Sequence, residues 1–247
     1  MKSTVLAVIP ARLHSRRFSN KVLYSYRGKP LLFYVWKEVC NAAAIDRLVI
    51  ATDSREIDRV ASDFGAEVFR TSTRHKTGTD RVAEVAESLG GGIILNIQAD
   101  NFGLRHAVLG RVIKQMKSDR SIEVATLARL IESDEELFDP NLVKVVASKN
   151  GQALWFSRYP LPYLQNVDSR SRVEQHKFYG HIGVYFFRRA ALRSFSESGR
   201  SPLEKAESLE QLRILEKGKM MRVFRTNMRS ISVDSPSDVK KLDSIYN

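Results

Sequence analysis

A chain of 247 residues with 43% hydrophobic and 28% charged residues can bury one sizeable core and has the composition of a folded soluble protein. No segment approaches the roughly 18 uninterrupted apolar residues of a membrane span, and the apolar run at residues 5–9 is too short for a secretion signal. The single cysteine, Cys40, excludes an internal disulfide, so we expect a reducing, cytoplasmic location.

The formal net charge of +12 is the most unusual bulk property of the chain. A basic protein attracts nucleic acid, anionic membranes or small polyanions. Lysine and arginine are spread along this chain, without a dense basic run interleaved with aromatic residues. The pattern favours a solvated basic surface, and we expect neither nucleic acid nor a membrane as a partner.

The first hundred residues alternate between short apolar runs and amphipathic segments. Runs at residues 4–9, 47–52, 67–69 and 93–97 are typical of strands, and several are apolar on both faces. Pro30 suits the first position of a helix that follows the first strand. A second helix begins at Asp53 or Ser54 as its N-cap, and a third begins with Thr77 or Thr79 as its N-cap and stops at Gly90.

The second half has a mixed pattern. Strands are predicted at residues 124–127, 143–147, 153–156, 181–187 and 230–233, and a helical pattern at residues 202–217. Residues 165–177 are polar and predict an exposed, mobile connection. No linker composition separates two units, although a boundary near residue 125 is conceivable. We predict an α/β fold, with a doubly wound, mostly parallel sheet and a smaller antiparallel β portion.

The loop after the first strand is rich in small and basic residues, which comprise Pro10, Ala11, Arg12, Ser15, Arg17, Asn20 and Lys21. In a doubly wound sheet, ligands bind beyond the carboxyl ends of the strands, where this loop must lie. Small residues let the backbone approach a triphosphate, and arginine and lysine neutralise its charge. The spacing is not that of a Walker loop, and an exposed basic loop explains the residues equally well.

Residues 77–81 stand at a predicted helix start. A purely structural role explains them, because a helix start needs only a threonine N-cap and gains from an acid such as Asp80 in its first turn. As function, Thr77 or the helix N-terminus could hold a pyrimidine or a phosphate, and Arg81 could add positive charge. From these residues alone, the structural interpretation is favoured.

Two aspartates follow predicted strands. Asp100 comes where the strand at 93–97 ends, and Asp234 follows the short strand at 230–233. Magnesium sites commonly use one or two carboxylates together with substrate phosphate oxygens. Asp234 could instead cap the last helix, although Ser235, followed by Pro236 and Asp238, suits that role better. The order of these residues along the chain does not show whether the two aspartates lie close together in the folded protein.

Taken together, these segments resemble the 3-deoxy-manno-octulosonate cytidylyltransferase family over nearly the whole chain. The motifs that carry the resemblance are Ile9-Pro10-Ala11-Arg12 with Ser15, Arg17 and Lys21, Ile50-Ala51-Thr52-Asp53, Thr77-Gly78-Thr79-Asp80-Arg81, Asn96-Ile97-Gln98 with Asp100, Pro140-Asn141-Leu142-Val143-Lys144-Val145-Val146, Ala153-Leu154-Trp155-Phe156-Ser157-Arg158, Gly180-His181-Ile182-Gly183-Val184-Tyr185, Ser201-Pro202-Leu203-Glu204, Ser208-Leu209-Glu210-Gln211-Leu212-Arg213 and Val233-Asp234-Ser235-Pro236.

The resemblance implies a single nucleotidyltransferase domain over residues 1–247, with a sugar-binding and dimerisation subregion near residues 140–190. It implies CTP and a 3-deoxy sugar acid as substrates, Mg²⁺ as cofactor and a homodimer. The roles that it implies are as follows: Arg12, Lys21, Asp100 and Asp234 are catalytic; Asp100 and Asp234 hold the metal; Pro10, Ala11, Arg12, Lys21, Thr77, Arg81 and Gln98 bind the nucleotide; Gln98, Arg158, His181, Tyr185, Glu210 and Gln211 bind the sugar acid.

The chain departs from the family pattern in two loops. Relatives usually read Gly-Asp-Glu-Pro where this chain has Ala99, Asp100, Asn101 and Phe102, so we expect the loop after Asp100 to be less charged and less fixed. The usual Pro-Gly-Lys-Pro of the first loop is replaced around Lys21, where Asn20 stands in the glycine position. Asparagine tolerates a positive φ better than most residues, which favours retention of the turn.

The chemistry that the resemblance implies is attack of the anomeric hydroxyl of the sugar acid on the α-phosphorus of CTP, with release of pyrophosphate. The CMP-sugar product would serve lipopolysaccharide or capsule biosynthesis. Two alternatives remain open at this level: the same reaction on a modified acid such as the 8-amino sugar, and a catalytically weak nucleotide-sugar-binding protein.

Overall fold

A computed structural model describes residues 4–13, 18–167 and 172–246. Its strands are β1 (Val5–Pro10), β2 (Ser25–Tyr26), β3 (Lys29–Pro30), β4 (Arg47–Thr52), β5 (Val68–Arg70), β6 (Ile93–Ile97), β7 (Asn101–Phe102), β8 (Val124–Leu130), β9 (Lys144–Ala147), β10 (Ala153–Ser157), β11 (Tyr179–Arg188), β12 (Arg222–Thr226) and β13 (Ile231–Ser232). Its helices are α1 (Leu31–Val39), α2 (Arg55–Asp63), α3 (Gly78–Leu89), α4 (His106–Ser118), α5 (Asp134–Phe138), α6 (Arg172–Gln175), α7 (Arg189–Ser196), α8 (Pro202–Glu207), α9 (Leu212–Glu216) and α10 (Asp243–Tyr246), with 3-10 helices at Lys21–Leu23 and Pro236–Leu242.

The central sheet has the strand order β10-β9-β11-β6-β1-β4-β5. β1 pairs in parallel with β4 and β6, and β4 pairs in parallel with β5. β11 runs antiparallel to β6, β8 and β9, and β12 adds to β8 in parallel. The first hundred residues supply the parallel strands β1, β4, β5 and β6, and the second half adds β11 and β9 in antiparallel pairing, so the predicted fold class is confirmed.

The alternation of side chains along β1 explains why the sheet is covered on both faces. Val5, Ala7 and Ile9 pack into one buried cluster, together with α1, α2 and α4. Leu6 and Val8 pack into a second cluster, together with α3, α7 and α9. Successive residues of a strand point to opposite faces, so an uninterrupted apolar strand requires helices on each side.

The helix starts distinguish between the caps that the sequence leaves open. The Ser54 hydroxyl accepts from the amides of Glu56 and Ile57, so Ser54 rather than Asp53 caps α2. Thr77 caps α3 and forms a reciprocal capping box with Asp80. Pro30 was wrongly predicted as the first helical residue: it is the N-cap of α1 and also pairs in β3, with extended backbone.

Two further predictions for the second half need correction, and one helix near the middle of the chain was missed. The helical pattern at 202–217 divides into α8 and α9, because Ser208 takes a left-handed conformation, with φ of +54°, and ends α8. The mobile connection predicted at 165–177 contains α6, whose first amides donate to the Asp134 carboxylate. Sequence reasoning overlooked α4, although Leu109, Val112, Ile113 and Met116 carry its helical periodicity.

Among the described helices, none is long and apolar enough to cross a membrane.

Candidate active site

A cavity of about 920 Å³ opens beside the ends of the first and sixth strands. Arg12, which follows β1, and Gln98 and Asp100, which follow β6, form part of its wall. The opposite wall takes residues from β11 and from the segment between α8 and α9. The predicted residues that line this one cavity are Arg12, Gln98, Asp100, Arg158, His181, Tyr185, Glu210, Gln211 and Asp234.

The two predicted metal-binding aspartates meet at Lys21. The Lys21 ammonium lies 2.7 Å from Asp100 Oδ2 and 4.0 Å from Asp234 Oδ1, and it donates to the carbonyl of Val233 at 2.9 Å. Because both oxygens lie near the same Nζ atom, Asp100 Oδ2 and Asp234 Oδ1 are separated by at most the sum of these two distances. Only 10% of the Lys21 side chain is exposed. A buried ammonium needs paired negative charge, and the two aspartates supply it.

A short two-stranded ribbon brings these distant residues together. Asn101 pairs with Ser232 and Phe102 with Ile231, so β7 and β13 run side by side immediately beyond the two aspartates. The amide of Val233 donates to the carbonyl of Asp100 at 3.1 Å, which extends the ribbon to the aspartates themselves. Backbone pairing thus sets the relative position of the two carboxylates.

The local conformation of the first loop places Lys21. Asn20 has a φ of +53°, in the left-handed region, and is the N-cap of the 3-10 helix Lys21–Leu23. The expectation that asparagine preserves this turn is confirmed. Ser15 and Arg17, also assigned to the loop, lie outside the described residues.

The antiparallel strand β11 passes very close to the Asp100 loop. A Cβ atom at Gly183 would lie 2.5 Å from Asn101 Nδ2 and 2.8 Å from Gln98 Oε1. Only glycine permits this approach without a shift of neighbouring atoms. Gly183 therefore lets the wall that carries His181 and Tyr185 lie directly against the segment that carries Asp100.

His181 is a neutral hydrogen-bonding group. Its ring lies between those of Phe156 and Tyr185, with centroids at 5.2 and 5.3 Å, and burial lowers its pKa to about 3. Its Nε2 lies 2.8 Å from Thr126 Oγ1, and the Thr126 hydroxyl donates to the carbonyl of Val184 at 2.9 Å. Since the Thr126 hydroxyl donates its proton to that carbonyl, it must accept a hydrogen bond from His181. The neutral ring therefore carries its proton on Nε2.

Tyr185 and Gln211 form the buried base of the same wall. The Tyr185 hydroxyl donates to Gln211 Oε1 at 3.0 Å. Burial is the main reason why the pKa of Tyr185 is raised above its ordinary value. Both side chains therefore remain uncharged, and they present hydrogen bonds of fixed direction rather than charge.

Glu210 and Arg158 complete this part of the cavity. Burial raises the pKa of Glu210 above its ordinary range, although a hydrogen bond with Thr79 acts in the opposite direction, and Glu210 Oε2 is buried without a hydrogen-bond partner. Arg158 is held by the carbonyls of Glu207 and Pro140, to which its Nε and Nη1 donate at 2.9 and 2.8 Å. The guanidinium is thus oriented before any ligand enters.

Several residues predicted to bind the nucleotide do not line this cavity. Arg81 is buried, and it donates to the Asp53 carboxylate at 3.0 Å and to the hydroxyl of Thr71. The Thr77 hydroxyl is used as the cap of α3, and the amide of Ala11 donates to the carbonyl of Ala51. A Cβ at Gly78 would lie 3.3 Å from Pro10 Cγ, so the start of α3 does pack against the first loop. Their nucleotide roles stay predictions.

Sequence reasoning missed residues that matter to the cavity. Thr126 was overlooked, although a threonine within the apolar strand run at 124–127 is a sequence signal for a buried hydrogen bond. Arg129 and Glu136 line the cavity and form an ion pair at 2.6 Å. Lys241 also lines it and pairs with Asp238 at 2.8 Å. Asp238 and Lys241 are three residues apart in one helix, which is a local signal for an ion pair, whereas the position of either pair at the cavity depends on the surrounding fold.

The residues around Lys21 suit a divalent cation. Asp100, Asp234 and the Val233 carbonyl offer oxygen atoms, which are the ligands that Mg²⁺ prefers. The position already accommodates positive charge in the form of the Lys21 ammonium. Within the described parts of the chain, no group of three or more histidine, cysteine, aspartate or glutamate side chains could hold a metal ion, so this site offers a pair of carboxylates rather than a closed cage.

The fold and the cavity define a nucleotidyltransferase-like α/β protein, and comparison with known proteins gives the family. A family model described as "Cytidylyltransferase" matches residues 6–223. The 3-deoxy-manno-octulosonate cytidylyltransferase of Geobacter metallireducens is 39% identical over 245 residues, which cover 96% of each chain. The one from Solibacter usitatus is 37% identical over 246 residues, which cover 100% of this chain and 96% of the relative.

A solved structure described as CMP:2-keto-3-deoxy-manno-octonic acid synthetase complexed with CTP superimposes with a TM-score of 0.89. It is 33% identical, and the match covers 99% of this chain and 98% of that one. The chain belongs to the 3-deoxy-manno-octulosonate cytidylyltransferase family. The resemblance read from the ordered motifs is confirmed.

Proposed function

We propose that this protein transfers CMP from CTP to the anomeric hydroxyl of 3-deoxy-manno-octulosonate (Kdo) and releases pyrophosphate. The observation that carries the proposal is that Lys21 brings together Asp100 and Asp234, which line a cavity whose wall also carries His181, Tyr185 and Gln211. The family and its relatives support cytidylyl transfer to Kdo.

The charged end suits the triphosphate. Lys21 and Arg12 would neutralise charge on the α-phosphate and on the departing pyrophosphate. Asp100 and Asp234 would hold Mg²⁺, which would supply charge neutralisation and lower the pKa of the attacking hydroxyl. Lys21 already bridges the two carboxylates, so no large rearrangement of the protein is needed to gather these charges.

The part of the cavity lined by Arg158, His181 and Tyr185 suits a polyhydroxylated acid, because it combines an oriented guanidinium with neutral hydrogen-bonding groups. Arg158 is oriented to pair with the sugar carboxylate, and a guanidinium recognises that group with two parallel hydrogen bonds. His181, Tyr185, Gln98, Glu210 and Gln211 would bind hydroxyl groups by donors and acceptors of fixed direction. These contacts would hold the anomeric hydroxyl in line with the bond to pyrophosphate, and positioning of this kind dominates phosphoryl-transfer catalysis.

We further propose that the protein works as a homodimer in the cytoplasm, with residues 140–190 contributing to the subunit interface. Exposed aromatic side chains in this region, Tyr159 and Tyr163, support it. Size-exclusion chromatography with light scattering would test the oligomeric state. A monomer at micromolar concentration would contradict it.

A coupled pyrophosphate assay tests the function. We expect pyrophosphate release with CTP, Mg²⁺ and Kdo, and much less with ATP, GTP or UTP. The 8-amino analogue and a nine-carbon acid serve as competing acceptors. No release with any acceptor would reject transferase activity and leave a nucleotide-sugar-binding protein, and a strong preference for the 8-amino sugar would overturn Kdo as the acceptor.

A further inference from the structure

The loop after Asp100 lacks the acid and proline that are usual in the family, yet it is held firmly. The expectation that it is less fixed than in relatives stays a prediction. Phe102 and Leu104 are buried, and the amide of Arg105 contacts Met228 Sδ at 3.2 Å. The loop is also bound by an acidic side chain of another element, the helix α1.

Glu38, near the end of α1, binds the backbone of this loop. Its Oε1 accepts from the amide of Gly103 at 2.7 Å, and its Oε2 accepts from the amide of Leu104 at 2.9 Å. One carboxylate thus satisfies two consecutive amides at residues 103 and 104, with one oxygen for each. Hydrogen bonds to a carboxylate are shorter and stronger than those between neutral groups, so this contact restrains the loop more than an amide side chain would.

The same carboxylate also binds the C-terminal helix. The Tyr246 hydroxyl donates to Glu38 Oε1. A Cβ at Gly103 would clash with the carbonyl of Arg229 and lie 3.0 Å from Ile245 Cδ1, so the loop is packed tightly between α10 and the segment that leads into β13. Gly103 has a φ of +85°, a conformation that favours glycine for a second reason.

We infer that Glu38 is a positioning residue for the metal-binding pair: by holding residues 103 and 104, it fixes the β7–β13 ribbon and therefore the relative position of Asp100 and Asp234. The chain of contacts is continuous. Glu38 binds Gly103 and Leu104, residues 101 and 102 pair with residues 231 and 232, and the two aspartates follow at the ribbon end. This inference rests on the proposed function, because it gives the aspartates a role in binding Mg²⁺.

Glu38→Gln is the decisive variant. A glutamine keeps one carbonyl acceptor but presents an NH₂ group to the second amide, so only one of the two loop contacts can persist. Tyr246→Phe is the matched partner, because it removes the hydroxyl donor and leaves both contacts to residues 103 and 104 intact. Lys37→Ala changes an exposed neighbour on the same helix and serves as the control.

Hydrogen exchange gives a readout that does not depend on activity. In Glu38→Gln we expect amides of residues 99–105 and 231–235 to exchange at least about fivefold faster than in the wild type. Exchange in α3 should be unchanged, and Tyr246→Phe and Lys37→Ala should resemble the wild type at residues 99–105. Wild-type exchange at 99–105 in Glu38→Gln, or an equal increase throughout the molecule, would overturn the inference.

Calorimetry then connects the loop with the metal. CTP binding is measured over a range of Mg²⁺ concentrations, and Glu38→Gln should need about tenfold more Mg²⁺ for half-maximal binding, the size of effect typical of residues that orient metal ligands. An unchanged Mg²⁺ requirement, with faster loop exchange, would show that Glu38 is structural only and overturn the inference. Failure of the wild type in the pyrophosphate assay would count against the proposed function alone, because the exchange measurement stands without catalysis.

Discussion

The two ends of the cavity use opposite electrostatic designs. At one end, Lys21, Asp100 and Asp234 gather formal charges that partly face the solvent, and the side chains of the two aspartates are 24% and 17% exposed. At the other end, His181 and Tyr185 are held uncharged by burial, which lowers the pKa of the first and raises that of the second. The ends meet where Gly183 passes the Asp100 loop.

This difference matches the two kinds of ligand group that the proposed reaction brings together. A triphosphate and its cation need formal charges that are already positioned beside them. Sugar hydroxyls need donors and acceptors of fixed direction, and a buried neutral group supplies them without attracting counter-ions. Substitutions at the charged end should therefore affect turnover, and substitutions at the neutral end should affect binding of the sugar acid and the pH dependence of stability.

The largest effect is expected from Asp100→Asn and Asp234→Asn. Each removes one of the two carboxylates proposed to hold Mg²⁺, so kcat should fall roughly a hundredfold to a thousandfold while the circular dichroism spectrum is retained. Pyrophosphate release under saturating CTP, Mg²⁺ and Kdo measures it. The exposed Asp63→Asn on α2 is the control. Wild-type turnover in either site variant would reject the metal assignment.

Lys21→Met should have the next largest effect. It removes the ammonium that bridges the carboxylates and would neutralise phosphate charge, so kcat/KM for CTP should fall roughly tenfold to a hundredfold. Lys114→Met, at an exposed position on α4, removes the same charge elsewhere and should leave kcat/KM unchanged. If both variants lost activity equally, net charge rather than the position of Lys21 would be responsible.

The neutral state of His181 predicts an acid-sensitive fold. Its pKa is about 3 in the folded protein and 6.5 ordinarily, so between these values the unfolded chain binds a proton that the folded protein does not. Unfolding is therefore favoured as the pH falls, and the wild type should lose roughly 2 kcal/mol more stability than His181→Gln between pH 7 and pH 5. Urea denaturation at the two pH values measures this difference. Equal losses would mean that His181 titrates normally.

The smallest effect is expected from Thr126→Val. The substitution removes the hydroxyl that fixes the His181 ring and leaves Nε2–H without its partner, so the KM for the sugar acid should rise about fivefold. The KM for CTP should stay unchanged, since Thr126 acts through His181 and makes no hydrogen bond with Lys21, Asp100 or Asp234. Thr126→Ser keeps the hydroxyl, so its KM for the sugar acid should equal that of the wild type. A rise in both KM values would indicate general disruption rather than loss of orientation at His181.

Features encoded by neighbouring residues could be predicted from the sequence. β4 and β6 coincide with the predicted runs, and the capping box of α3 follows from Thr77 and Asp80, three residues apart. Both depend on interactions within a few residues. The division of residues 202–217 into two helices was missed, because the left-handed backbone at Ser208 has no signal as strong as a glycine or proline would provide.

The sequence by itself determined the parallel strands, the family and the residue types available to the site, since these follow from hydrophobic spacing and ordered motifs. Only the tertiary structure decided which groups meet. It paired Lys21 with Asp100 and Asp234, directed the His181 proton to Nε2 through Thr126, and fastened the Asp100 loop to Glu38. These contacts join residues far apart in the chain, and their geometry is set by strand register and burial, which no short segment specifies alone.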